Sequence, residues 1–268
     1  MGLNYTTAEC AAWVERTAAA GGAAGLAAST VGAEYVRQRR SFDETVETYS
    51  SPPSDALLPS LEVLYPPNII PVVRTLVIDL EDTIVHAEYK RERGWLTYKR
   101  PGVQQFLEAA WNLGWEVVLY TDQDHMAAEP VMEKIDPGRR FVPFRLFRDS
   151  TLYTGGVLSP GTHVRDLSRL NRDPRKTLYM TWDEATGARQ PENVVRVSKW
   201  TGDPGDTQLL DMIPVLQMIV ETRMADVRDV ARAYKGQDLP PAFRERVKRQ
   251  AQGAPGGAGK RGFLGGGR

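Results

Sequence analysis

The sequence predicts an α/β fold, a parallel sheet covered by helices on both faces, from three observations. Four short, nearly continuous apolar runs stand at residues 75–80 (TLVIDL), 116–120 (EVVLY), 177–180 (TLYM) and 194–197 (VVRV). None alternates polar with apolar residues, as a strand with one wet face would, so each reads as a strand buried on both faces. Segments with helical periodicity separate them, and strands alternating with helices indicate a parallel sheet. Finally, an acidic cluster directly follows the first run, where ligands bind in such sheets, beyond the carboxyl ends of the strands.

The elements follow in order. Residues 103–113 form an amphipathic helix with Val103, Phe106, Leu107 and Ala110 on one face. Residues 126–135 read as a helix started or interrupted near Pro130, because proline lacks the N–H that an interior turn requires. Two further helices are expected at residues 208–220 and 225–234. Trp111 and Trp115 bracket the turn into the second strand and read as packing residues, as do Met212, Met218 and Met224 at helical intervals.

The flanks differ in character. Residues 1–40 hold an uncharged Ala/Gly tract, about 17–33 (TAAAGGAAGLAASTVGA), in which Gly21, Gly25 and Ser29 recur at four-residue steps. That face would let another backbone approach closely in a membrane, but a flexible linker has the same composition. Residues 41–71 carry Pro52-Pro53, Pro59 and Pro66-Pro67 and read as an extended linker. The globular domain is expected over 72–250, followed by a disordered Gly-rich tail at 251–268. The start MGLNYT also fits the loose N-myristoylation pattern at Gly2.

Charge and metal-ligand arithmetic exclude several classes. Lys+Arg 34 against Asp+Glu 34 gives no net attraction for polyanions, so no nucleic-acid partner is expected. A single cysteine, Cys10, excludes an intramolecular disulfide, and the three histidines, His86, His125 and His163, lack zinc-motif spacing. Local hydrogen bonding is the plainer reading for His86 and His163.

The acidic cluster is Asp79-Leu80-Glu81-Asp82-Thr83. It reads either as a solvated turn with capping residues or as a group that chemistry uses. The run VIDLEDT at 77–83 resembles the D-x-D-x-T motif of haloacid dehalogenase-like phosphatases, in the branch that contains the RNA polymerase C-terminal-domain phosphatases. KRPG at 99–102, LYT at 119–121 and QPEN at 190–193 recur in the expected order. A narrower resemblance is to the fifty-kilodalton receptor family of the mitochondrial inner-membrane presequence translocase. It is carried by RLFRD at 145–149, HVRDLS at 163–168, LNRDP at 170–174, DVRDV at 226–230 and the insert at 86–95.

The resemblance implies a Rossmannoid haloacid dehalogenase-like sheet with a β-hairpin insert and a single N-terminal membrane helix at the Ala/Gly tract. In a working phosphatase of this kind, the residue matching Asp79 attacks phosphorus, and the position of Glu81 holds an aspartate serving as acid and base. Thr121 matches the phosphate-binding hydroxyl. Arg165 stands where a lysine belongs, and Thr181-Trp182 stand where an Asp-Asn pair helps bind magnesium, with Asp183 and Glu184 displaced by one or two positions. The longer Glu81, the forked Arg165 and the poor ligands Thr181 and Trp182 point to a degenerate pocket. No catalysis and no metal are expected; were a metal bound, Asp79 and Asp183 would be its ligands, and an active pocket would use magnesium.

The implied role is that of a non-catalytic subunit in the mitochondrial inner membrane, its globular domain facing the intermembrane space. It would meet other membrane subunits through the Gly21, Gly25, Ser29 face and pass cationic presequence peptides to the import channel. Two alternatives stay open: an inactive accessory subunit of a respiratory or energy-transducing complex, and an active magnesium-dependent protein phosphatase. A presequence receptor also needs negative charge, for which Glu108, Glu116, Asp122, Asp124, Glu129 and Glu133 are candidates, although ordinary solvated surface explains them too.

Overall fold

The computed structural model describes residues 56–64, 73–155, 161–184 and 187–252. The Ala/Gly tract with Gly21, Gly25 and Ser29, the Gly2 site and the tail from 253 lie outside the described residues. Among the described residues no helix is long and apolar enough to cross a membrane.

Five strands form the main sheet: β1 (Arg74–Ile78), β4 (Trp115–Tyr120), β5 (Phe144–Leu146), β8 (Thr177–Thr181) and β9 (Val194–Arg196). Their order is β5-β4-β1-β8-β9, every neighbouring pair parallel. After β1 the chain builds outward through β4 to β5, then returns to the other side of β1 as β8. That reversal opens a crevice at the carboxyl end of β1. A separate antiparallel hairpin, β2 (Val85–Lys90) with β3 (Gly94–Lys99), rises between β1 and the next helix, as the resemblance implied. A two-stranded ladder, β6 (Leu152–Tyr153) with β7 (His163–Val164), completes the set.

Among the described residues, the helices longer than one turn are α1 (Val103–Asn112), α2 (His125–Ile135), α3 (Gln208–Glu221), α4 (Arg228–Ala233) and α5 (Leu239–Gln252). All five pack into one apolar cluster, against Leu76, Ile78, Val117, Leu119, Leu178 and Met180. The opposite face, with Val77, Val118, Tyr120, Tyr179 and Val194, is closed instead by Leu58 and a 3-10 turn bearing Leu167 and Leu170. The expectation of helices on both faces is therefore corrected. The period-2 pleat buries both faces, but apolar side chains on irregular backbone fill the second as well as a helix would.

Three other expectations change. Residues 56–64 are not a uniformly extended linker: Leu58 is buried and Leu61–Leu64 make a helical turn. The second helix runs from His125 through Pro130 without interruption, capped by Asp124 Oδ1, which accepts from the Met126 N–H at 2.9 Å. Its missing bond falls on the carbonyl of Met126, an exposed first-turn residue close to water. The last predicted helix starts at Arg228 rather than residue 225, because the Asp226 carboxylate accepts from the Arg228 N–H at 3.0 Å and turns the chain first.

Trp115, Met212 and Met224 are buried as expected, whereas Trp111 is exposed on the outer side of α1. Gly102 opens α1 with φ 79, and a Cβ there would meet Leu210 Cγ at 2.7 Å. Gly102→Ala should therefore cost about 2 kcal/mol, from the left-handed backbone and the clash together. Chemical denaturation should show it as a lower midpoint with an unchanged slope.

Candidate functional site

The β1/β8 register pairs Val77 with Tyr179 and Ile78 with Met180. Asp79, one residue past β1, continues it: its N–H donates to the Met180 carbonyl at 3.1 Å, and its side chain reaches Thr181. On the other side Thr121, one residue past β4, donates its N–H to Leu146 at 3.0 Å. Parity puts Asp79, Tyr179 and Thr181 on the same face, and the turn around Arg165 closes over them. That turn is pinned by Arg165 N–H to the Gly187 carbonyl (3.2 Å) and Arg189 N–H to the Arg165 carbonyl (2.9 Å).

The centre of the site is a buried ion pair. One terminal nitrogen of Arg165 donates to Asp79 Oδ1 at 2.9 Å and Oδ2 at 3.0 Å. Leu80 N–H adds a bond to Oδ1 at 2.8 Å, while the Tyr179 and Thr181 hydroxyls reach Oδ2 at 3.3 and 3.2 Å. Asp79 is 3% exposed and Arg165 5%. Burial pushes the Asp79 carboxyl above its ordinary value, with the Arg165 charge as the largest opposing pull. Arg165 also stands 3.3 Å from Asp122, one of the acidic candidates.

Glu81 is drawn elsewhere. Its Oε1 accepts from the Ala87 N–H at 2.8 Å, which ties it to the base of the hairpin. Burial raises its carboxyl above the usual range, against the pull of that N–H. Asp82, in a left-handed conformation with φ 55, is held by His86 Nδ1 at 2.6 Å and Lys199 Nζ at 3.0 Å. Trp182 lies under Lys199, whose ammonium is 4.3 Å from the ring centroid, and Asp183 meets the site through its N–H to Thr181 Oγ1 at 3.1 Å. Thr121 is fully buried, and its Oγ1 accepts from the Gln123 N–H at 3.2 Å. Next to it, burial pushes the Tyr120 phenol up to about 12, and its O–H donates to the Ser150 carbonyl at 2.6 Å.

These residues do not fit magnesium. The ion needs hard oxygen ligands in near-octahedral geometry at roughly 2.0–2.1 Å, whereas both Asp79 oxygens face N–H or O–H donors. Among the described residues the grouping of ligating atoms that does form is Glu81, Asp82 and His86, all within 4.8 Å of one another. Its members already bond each other, Ala87 and Lys199.

The structure thus brings Asp79, Arg165 and Thr181 together and turns Glu81 toward the hairpin. Sequence reading missed Tyr179, whose signal was a hydroxyl two residues before Thr181 on the same strand face. The acidic candidates are largely paired internally: Glu116 with Arg172 (2.7 Å), Glu129 and Glu133 with Arg145 (2.8 and 3.4 Å), and Asp124 as the cap of α2. His163 behaves as expected, with Nδ1 2.8 Å from the Thr151 hydroxyl.

The hairpin leaves Tyr89, Trp95 and Tyr98 exposed, and Lys90, Arg91 and Arg93 cluster at its tip. Tyr89 and Trp95 meet edge to face with centroids 5.7 Å apart.

The chain is 39% identical over 215 residues to the mitochondrial import inner membrane translocase subunit TIM50 of Arabidopsis thaliana, which covers 80% of this chain and 54% of that protein. It is 38% identical over 216 residues to the corresponding subunit of Neurospora crassa, covering 81% and 38%. The chain thus spans about half or less of the length of these curated relatives. Among solved structures, the RNA polymerase II C-terminal-domain phosphatase Fcp1 aligns with a TM-score of 0.48 at 15% identity, covering 66% of this chain and 71% of that one. The family model described as NLI interacting factor-like phosphatase matches residues 74–228, from the first residue of β1 to the start of α4, and the chain belongs to that family.

Proposed function

We propose that this protein is a non-catalytic, phosphatase-like subunit of the mitochondrial presequence translocase. The observation that carries the reading is the likeness to translocase subunits, 39% identity over 215 residues spanning both the sheet and the hairpin insert. The pocket supports the non-catalytic part. An attacking carboxylate needs a free lone pair, and those of Asp79 are taken by a guanidinium, two hydroxyls and an N–H. The acid/base position is held by Glu81, whose carboxyl is tied to Ala87.

The hairpin supports membership in a complex over a free enzyme. An isolated two-stranded sheet is marginal in water, and this one exposes aromatic rings on both faces, Tyr89 and Trp95 on one and Tyr98 on the other. A partner subunit would cover them. On this reading the globular domain faces the intermembrane space, residues 17–33 form the membrane helix, and its Gly21, Gly25, Ser29 face packs against other inner-membrane subunits. Cationic presequences are the transported ligands.

Affinity purification of the tagged chain from its own mitochondria, with cross-linking to a presequence peptide, tests this. Import-channel subunits in stoichiometric amount and a presequence adduct are the expected outcome. Trp95→Ala should weaken co-purification about tenfold or more while leaving the melting temperature within about 2 °C, since the ring is 72% exposed. Stoichiometric recovery of a respiratory or energy-transducing complex instead, without a presequence adduct, would replace the receptor role with the accessory one.

A further inference from the structure

We infer that Arg165 and Asp79 form a structural ion pair that holds the sheet's crevice shut without magnesium. The inference rests on the non-catalytic reading of the pocket and extends it to what the pocket does instead.

A carboxyl as buried as Asp79 stays ionised only beside a cation and a set of donors. Two carboxylate oxygens offer about four lone-pair directions, and here they receive five donor contacts from Leu80, Arg165, Tyr179 and Thr181. Thr181, in the position of a metal ligand, uses its hydroxyl twice, donating to Asp79 and accepting from the Asp183 N–H. Its oxygen therefore already serves protein partners on both sides. A divalent ion on Asp79 would have to displace donors already within 3.0 Å of both oxygens.

One terminal nitrogen of Arg165 reaches Asp79 Oδ1 at 2.9 Å and Asp122 at 3.3 Å, and the guanidinium charge does not depend on pH. The partners come from β1, the segment after β4, β8 and the turn at Arg165, four pieces of chain that the crevice would otherwise leave apart. The pair thus ties together the topological switch point that a metal and substrate would bridge in a working enzyme.

The test uses the full chain and two readouts, thermal melting and calorimetric titration with magnesium chloride. The wild type should melt at the same temperature in magnesium and in EDTA and give no binding heat. Arg165→Ala should melt lower in EDTA and recover by about 3–6 °C when magnesium or guanidinium at low concentration is roughly tenfold above its Kd, with sodium chloride of equal ionic strength giving no recovery. Should Arg165→Ala fail to fold, Asp79→Asn, Arg165→Met and their double variant replace it, the double expected to melt higher than the sum of the singles requires.

Magnesium binding to the wild type, a folded Arg165→Ala indifferent to both cations, or additive single and double variants would each overturn the inference. An aryl-phosphate assay on the same wild-type sample separates the two readings. Magnesium binding without phosphate release sinks the ion-pair inference alone, whereas phosphate release abolished by Asp79→Asn sinks the non-catalytic reading as well.

Discussion

Arg100→Ala is expected to cost about 3–5 kcal/mol, the range for removing one partner of a buried ion pair, and to lower the melting temperature by roughly 6–20 °C for a domain of this size. The Arg100 side chain has no solvent exposure and its fork grips Asp206 with Nε to Oδ1 and Nη2 to Oδ2, both at 2.8 Å. Its third arm donates to the Thr83 carbonyl at 2.9 Å. One side chain therefore fastens the turn behind Asp79 to the loop that starts α3. Asp206, with its side chain 10% exposed, would keep the Gln208 N–H at 3.1 Å but lose its counter-charge. The mechanism predicts a further result: Arg100→Met combined with Asp206→Leu should be less damaging than Arg100→Met alone, because no orphaned charge remains. Urea denaturation of the three variants measures this, and a double variant worse than the single would refute the charge argument.

The second large effect is expected at Arg145, on β5, whose buried guanidinium meets Glu129 at 2.8 Å, the Asp136 carbonyl at 2.6 Å and Glu133 at 3.4 Å. Asp136, itself 1% exposed, accepts from the Phe141 and Val142 N–H groups at 3.1 and 2.8 Å, so the network fixes the whole passage from α2 into β5. Arg145→Met should again destabilise by about 3–5 kcal/mol at neutral pH. Its pH dependence carries a sign. Burial pushes the Glu129 carboxyl up, but the hydrogen bond from Arg139 and the charge of Arg145 outweigh it and hold the group below its usual value. A carboxyl depressed in the folded state contributes stability above its unfolded pKa of about 4.3 and loses that contribution as pH falls through the folded value. The gap between wild type and Arg145→Met should thus be widest near neutrality and narrow below about pH 4. Melting curves across that range would show it, and a gap that widened in acid would contradict the assignment.

Much of the frame was legible because it is written locally. β1, β4, β8 and β9 announce themselves as apolar runs, and α1 and α3 as apolar faces at helical spacing. β5 was not, since its three residues FRL carry a buried arginine that breaks the apolar run. α5 was hidden for a related reason: LPPAFRERVKRQAQ carries two prolines in its first turn and a short apolar stretch, Leu239, Pro240, Ala242 and Phe243, against the core, with charge over most of the rest. In the site, Asp79, Thr121, Arg165 and Thr181 could be named from the resemblance to the phosphatase family. Tyr179 could have been, because side chains two apart on a strand share a face. The orientation of Glu81 toward Ala87 could not, since it depends on where the hairpin folds back.

What the sequence determined by itself was therefore the class of fold, through periodicity, and the family and the identity of the pocket residues, through short motifs that resemble known ones. Which charge meets which was decided only by the tertiary structure. Asp79 finds Arg165 and Thr181 across separations of 86 and 102 residues, and Arg100 finds Asp206 across 106. The meetings at Asp79 exist because the chain reverses at β1, placing β4 on one side and β8 on the other. Burial then removes water as a competing partner, so each charge must take the counter-charge that the reversal sets beside it.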